Sequence, residues 1–146
     1  STQSRSSAAS DVYKRQEEQK LPRGTETILV VDDEEVVREL ATRILSRAGY
    51  TVITAANGRE ALKRYEEHDQ VIALIILDLI MPEMDGKRCL SELLKMNPKV
   101  KVIVASGFAE NGLTKEAIHT GARGFVSKPF HIPQLLQTIR NVLDEP

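Results

Sequence analysis

Two hydrophobic rhythms alternate along this chain. Short apolar runs recur at Ile28-Leu29-Val30-Val31, Thr51–Thr54, Leu74-Ile75-Ile76-Leu77, Val100–Ala105 and Gly124-Phe125-Val126-Ser127, each bounded by turn residues. Runs of that length predict strands, and the adjacent isoleucines of the third suit burial on both faces, as in a parallel sheet. Between the runs, apolar positions return at helical spacing. Val37, Leu40, Ala41, Ile44, Leu45 and Ala48 mark one face of a helix over Glu34–Ala48, closed by Gly49. Asn57 can cap a second helix that turns Ala61, Leu62 and Tyr65 inward. A third starts near Asp85-Gly86, presents Leu90, Leu93 and Leu94, and stops at Asn97-Pro98. A weaker pattern around Ala117 and Ile118 ends at Gly121, and Pro133 opens a last helix with the stripe Leu135, Leu136, Ile139, Val142 and Leu143. Five strands alternating with five helices predict an α/β fold, a doubly wound parallel sheet.

The ends of the chain read differently. Residues 1–20 are polar and lack apolar periodicity, which predicts disorder. Ser6–Gln16 matches the in-frame translation of a transposon-type sequencing adapter, so residues 1–16 are taken as non-native and the true N-terminus as missing. Residues 17–26, with Leu21-Pro22-Arg23-Gly24-Thr25, read as a linker, and 27–144 as the folded domain. A length of 146 residues allows one proper core and not two. A net charge of −1 gives no pull toward nucleic acid or an anionic membrane. The lone Cys89 excludes an internal disulfide and a cysteine-based zinc cage. No apolar stretch approaches the roughly 18–20 residues of a membrane span, and no signal peptide opens the chain, so a cytoplasmic location is expected.

The chemistry gathers at one place. Right-handed crossovers put all strand C-termini on one edge of the sheet, where open α/β folds hold their ligands. Asp32 and Asp33 arrive there from the first strand, Asp78 from the third, Ser106 from the fourth and Lys128 from the fifth. Two like charges about 4 Å apart repel by about 4 kcal/mol at an effective dielectric near 20. One lysine cannot balance three carboxylates, whereas a hard divalent cation such as Mg²⁺ can. Asp78 is then an oxygen nucleophile for a phosphoryl group, with Lys128 and the Ser106 hydroxyl near its oxygens.

Thr27 to about Leu143 resembles the receiver domain of two-component response regulators. The resemblance is carried by Val30-Val31-Asp32-Asp33-Glu34, by Asp78-Leu79-Ile80-Met81-Pro82-Glu83-Met84-Asp85-Gly86, by Ser106-Gly107 and by Phe125-Val126-Ser127-Lys128-Pro129. It implies a flavodoxin-like sheet in strand order 2-1-3-4-5. It also implies Asp78 as phosphoacceptor, and Asp33, Asp78 and the Ile80 carbonyl as Mg²⁺ ligands, with Asp32 acting through water. Ser106 and Lys128 would bind the phosphoryl group, Phe125 would be an aromatic switch, and Lys128–Pro129 would be a cis peptide. Such a domain is a phosphoacceptor rather than an enzyme, though it assists its own phosphorylation and dephosphorylation. Its donor would be a histidine kinase or histidine phosphotransfer domain, and a weak homodimer is compatible with the family. Ile80 and Phe108 flank the approach of hydrolytic water in such domains; neither can orient a water, which implies a long-lived phosphorylated form.

Each residue has a plainer reading. A single Asp after a strand is usually a turn former, Asp32-Asp33 could cap a helix, and Ser106 could cap the fourth helix. Core packing explains Phe125 as well as a switch does, and Cys89 suits a semi-buried helix position. His68, His119 and His131 lack metal-ligand spacing and read as surface residues. A haloacid-dehalogenase-type phosphatase would need an acid/base Asp two residues after Asp78, where Ile80 stands. Leu21–Ile28 resembles the junction ahead of a hybrid sensor kinase's terminal receiver, so a hybrid-kinase origin is expected, with a free-standing single-domain regulator as the alternative.

Overall fold

The computed structural model describes residues 21–82, 84–107 and 112–146. The polar start read as disordered and adapter-derived, and Phe108, lie outside the described residues. Among the described residues the order is β1 Thr27–Val31, α1 Glu35–Arg47, β2 Thr51–Ala55, α2 Gly58–His68, β3 Ile72–Asp78, α3 Gly86–Met96, β4 Val102–Ser106, α4 Gly112–Thr120, β5 Gly124–Ser127 and α5 Ile132–Leu143. All pairings are parallel and the strand order is β2-β1-β3-β4-β5.

The two-residue period of β3 divides the core. Leu74 and Ile76 join α1 and α5 on one face, while Ile75 and Leu77 join α2, α3 and α4 on the other. A central strand apolar on both sides therefore carries its single carboxylate, Asp78, to the C-terminal end with no freedom to slip. A one-residue shift would bring it to the other face.

Local signals set most element ends. The Asn57 side chain accepts from Glu60 N–H, and the Asp85 side chain from Arg88 N–H, capping α2 and α3. Gly49 follows α1 with φ of +102°, the left-handed turn that ends a helix best without a Cβ. The structure moves the start of β4 and turns two side chains outward. Val100 precedes the ladder, because its N–H closes a turn on the Asn97 carbonyl, and β4 starts at Val102. Leu40 and Ile118 face solvent, since the sheet covers a narrower stripe on α1 and α4 than a full apolar face. Cys89 is wholly buried, and burial pushes its thiol up to about 12.

The segment read as the end of a linker is fastened to the domain. Gly24 N–H donates to the Ala48 carbonyl, and Leu21 packs against the core that the sheet shares with α1 and α5. Arg140 Nη2 donates to Glu26 Oε2 at 2.7 Å, and Arg140 Nη1 to the Arg23 carbonyl at 3.1 Å. This hydrogen bonding holds the Glu26 carboxyl down at about 2 against an ordinary 4.5. A depressed carboxyl stabilises the fold fully above its unfolded value, and that contribution fades as pH falls from about 4.5 toward 2. With both side chains a quarter to a third exposed, solvent screening limits the effect to about 1 kcal/mol. Glu26→Gln is expected to lower the urea midpoint at neutral pH, with the deficit shrinking between about pH 4.5 and 3. A deficit that stays constant over that range would assign it to shape and not to charge.

Candidate functional site

The C-terminal edge of the sheet brings together five of the residues named from sequence. Asp32 and Asp33 follow β1, Asp78 and Ser106 close β3 and β4, and Lys128 follows β5. Asp32, Asp78 and Ser106 are buried, Lys128 is half-buried, and Asp33 is exposed. Oxygen atoms of Asp32, Asp33 and Asp78 all lie within 4.8 Å of one another. Lys128 Nζ donates to Asp32 Oδ2 at 2.8 Å and stands 3.4 Å from Asp78 Oδ2. Its own position is tied down, for Lys128 N–H donates to the Ser106 carbonyl at 2.8 Å and the Lys128–Pro129 peptide bond is cis.

Asp78 carries the strain of this crowding. Burial first, and then the neighbouring Asp32 charge, raise its carboxyl from 3.8 to about 6, against the opposing Ile80 N–H and Lys128. Burial pulls the Lys128 ammonium down, but Asp32 and Asp78 outweigh it and the balance is upward. Lys128 therefore stays charged, and one ammonium faces three carboxyl groups. The donor set is all hard oxygen, open on the Asp33 side, which fits a cation of the Mg²⁺ type.

The loop after β3 is shaped by close backbone packing. Ile80 N–H donates to Asp78 Oδ1 at 3.2 Å, which fixes the peptide leading to the Ile80 carbonyl. Ile80 is 55% exposed at the edge of the cluster. Gly86 N–H donates to the Leu79 carbonyl at 3.1 Å, folding α3 back onto the strand end. Phe125 is half-buried and packs against the core face formed with α2, α3 and α4. His68, His119 and His131 are half-buried or exposed and none joins the cluster.

One contributor escapes a sequence reading. Arg38, on α1, donates from Nη1 to the Asp32 carbonyl at 2.7 Å. Its place six residues after Asp32 was the available signal, but a helical arginine reads as solvated unless the turn before it is known.

The family description of the response regulator receiver domain matches residues 28–140. The chain belongs to that family. Among curated relatives, the receiver is 40% identical over 122 residues to the sensor kinase CckA of Brucella abortus, covering 84% of this chain but 13% of that protein. It is 36% identical over 116 residues to the chemotaxis protein CheY of Thermotoga maritima, covering 79% of this chain and 95% of CheY. Among solved structures, a CheX–CheY complex with beryllofluoride and magnesium from Borrelia burgdorferi superposes with a TM-score of 0.78 at 33% identity, covering 82% of this chain and 90% of that one. Receiver domains are signalling domains of two-component systems that bind Mg²⁺ at such an acidic cluster, here Asp32, Asp33 and Asp78, and that engage kinases and other signalling partners. No described helix is long and apolar enough to cross a membrane.

Proposed function

We propose that this receiver takes a phosphoryl group onto Asp78 from a phosphohistidine of a kinase or phosphotransfer domain, in a Mg²⁺-dependent reaction. The observation that carries this is the buried Asp78 carboxylate facing one ammonium and two further carboxylates at a strand end. An Asp78 oxygen attacks phosphorus, the P–N bond to the donor histidine breaks, and an acyl phosphate forms. Asp33, Asp78 and the Ile80 carbonyl would hold the ion directly, Asp32 through water, and the ion supplies charge compensation for the phosphoryl oxygens. Lys128, already 3.4 Å from Asp78, and the Ser106 hydroxyl supply the protein's own donors. Incubation with radiolabelled acetyl phosphate and Mg²⁺ is expected to give an alkali-labile label on the peptide containing Asp78, absent in EDTA. Label on another residue, or label indifferent to EDTA, overturns the assignment.

The output runs through Ser106 and Phe125 to the face made by α4, β5 and α5. A phosphoryl group adds roughly two negative charges, and drawing the Ser106 hydroxyl toward it frees space for the Phe125 ring. Ser106→Ala is expected to keep Asp78 labelling within about threefold while blunting the phosphorylation-dependent NMR shifts of residues 112–127. Equal shifts in wild type and variant would remove Ser106 from the switch.

The parent protein is a hybrid sensor kinase in this reading. Its support is the 40% identity to the receiver segment of a far longer sensor kinase. The coverage of nearly all of CheY supports the alternative, a single-domain regulator. Genomic sequence upstream of the Glu17 codon decides between them: an in-frame kinase domain supports the hybrid, and a start codon there overturns it.

A further inference from the structure

Asp33 is the exposed member of the acidic cluster, and its carboxylate makes no hydrogen bond or ion pair among the described residues. Its direction must therefore come from its backbone. Both peptide groups flanking it are held. On the far side, Glu34 N–H donates to Asp32 Oδ1 at 2.9 Å. On the near side, the Asp32 carbonyl accepts from Arg38 Nη1 at 2.7 Å. The rest of Asp32 is equally engaged, with its N–H on the Ala55 carbonyl and its Oδ2 on Lys128. Arg38 is half-buried and lines a shallow groove with Glu35, Glu39, Thr42, Arg43 and Thr54. With two glutamates on its own helix, its guanidinium bonds a neutral carbonyl and makes no ion pair among the described residues.

We propose that Arg38 is a positioning residue for the acidic site: by holding the Asp32 carbonyl, it sets the direction in which the Asp33 carboxylate meets a divalent cation. The inference rests on the reading of Asp32, Asp33 and Asp78 as the Mg²⁺ site and adds to it the residue that orients one ligand. Its sign is opposite to that of simple electrostatics. A positive charge near the cluster repels Mg²⁺, so removing it should tighten binding if charge alone mattered. Removing an orienting hydrogen bond should loosen binding, as second-layer partners of metal ligands do.

The test is Mg²⁺ titration of the whole chain by calorimetry, with wild type, Arg38→Met and Arg38→Lys. Arg38→Met keeps the aliphatic stem and loses both charge and donor, and Arg38→Lys keeps a charge and a donor. The expected result is about tenfold weaker Mg²⁺ binding for Arg38→Met, with Arg38→Lys restoring most of it. Thermal midpoints without metal should fall by only a few degrees, since the half-buried Arg38 loses a single hydrogen bond and Arg38→Met keeps its aliphatic stem. Wild type that binds Mg²⁺ while Arg38→Met binds equally or more tightly overturns the inference alone. Equal weakening in both variants together with a midpoint lowered further than that marks a general loosening of α1 and also overturns it. Wild type that binds no Mg²⁺ overturns the reading of the cluster, and this inference with it.

Discussion

Asp78→Asn is expected to abolish phosphoryl labelling and, in metal-free buffer, to make the fold more stable. The first effect follows from the nucleophile: an amide oxygen does not form the acyl phosphate. The second follows from the raised carboxyl. Asp78 in the folded chain holds its proton up to about pH 6, against 3.8 in its ordinary state. The folded state therefore binds the proton more tightly than the unfolded chain. Metal-free stability falls as pH rises from about 4 to 6, and at neutral pH the full penalty is present. Asn carries no charge and escapes it. A gain on the order of 2 kcal/mol, or about 5–10 °C in Tm, is expected at pH 7.5, vanishing near pH 4. Added Mg²⁺ should narrow the gap by stabilising wild type more than the variant. Calorimetric melts of both proteins, with EDTA and with Mg²⁺, read all of this. A variant less stable than wild type in EDTA would show that the cluster is not under charge strain.

Gly86→Ala is expected to produce a large loss of stability from a single methyl group. A Cβ at Gly86 would lie 2.5 Å from Leu79 Cα and closer still to the Asp78 carbonyl oxygen. Both obstacles are backbone at the end of the central strand, so neither can turn aside as a side-chain tip would. Overpacking of this kind costs about 3 kcal/mol or more, and here any relief displaces the peptide that carries Asp78. The variant should melt at least about 10 °C below wild type and label more slowly. Gly112→Ala supplies the control, because a Cβ there meets nothing within 4 Å among the described residues at the start of α4. It should be neutral or slightly stabilising, by up to about 1 kcal/mol. Equal melting of wild type and Gly86→Ala would mean that the loop after β3 yields freely, and the close approach would not matter.

The two variants bear on different layers of what a sequence can reveal. The strand–helix alternation was legible because each element announces itself within a few residues. Leu74–Leu77 is apolar at every position, Asn57 and Asp85 stand three residues before the amides they cap, and Gly49 takes the left-handed turn. Once a parallel sheet is inferred, crossover handedness sends every strand end to one edge, so Asp32, Asp33, Asp78, Ser106 and Lys128 could be assembled without coordinates. The placement of Leu40 and Ile118 was less legible, since periodicity gives a helix face but not how much of it the sheet covers.

What only the tertiary structure decided are pairings between distant residues and their distances. Lys128 bonds Asp32, 96 residues away, more closely than it approaches Asp78. Arg140 reaches Glu26 across 114 residues and turns what reads as a linker into a fastened part of the domain. Arg38 meets a backbone carbonyl, a partner that every residue carries and that no sequence pattern can single out. Hydrophobic period and capping chemistry act over one or two turns of chain, so they are written in neighbouring residues. A hydrogen bond is won or lost over a few tenths of an ångström, and that distance is set by how all the packed layers between two segments settle together.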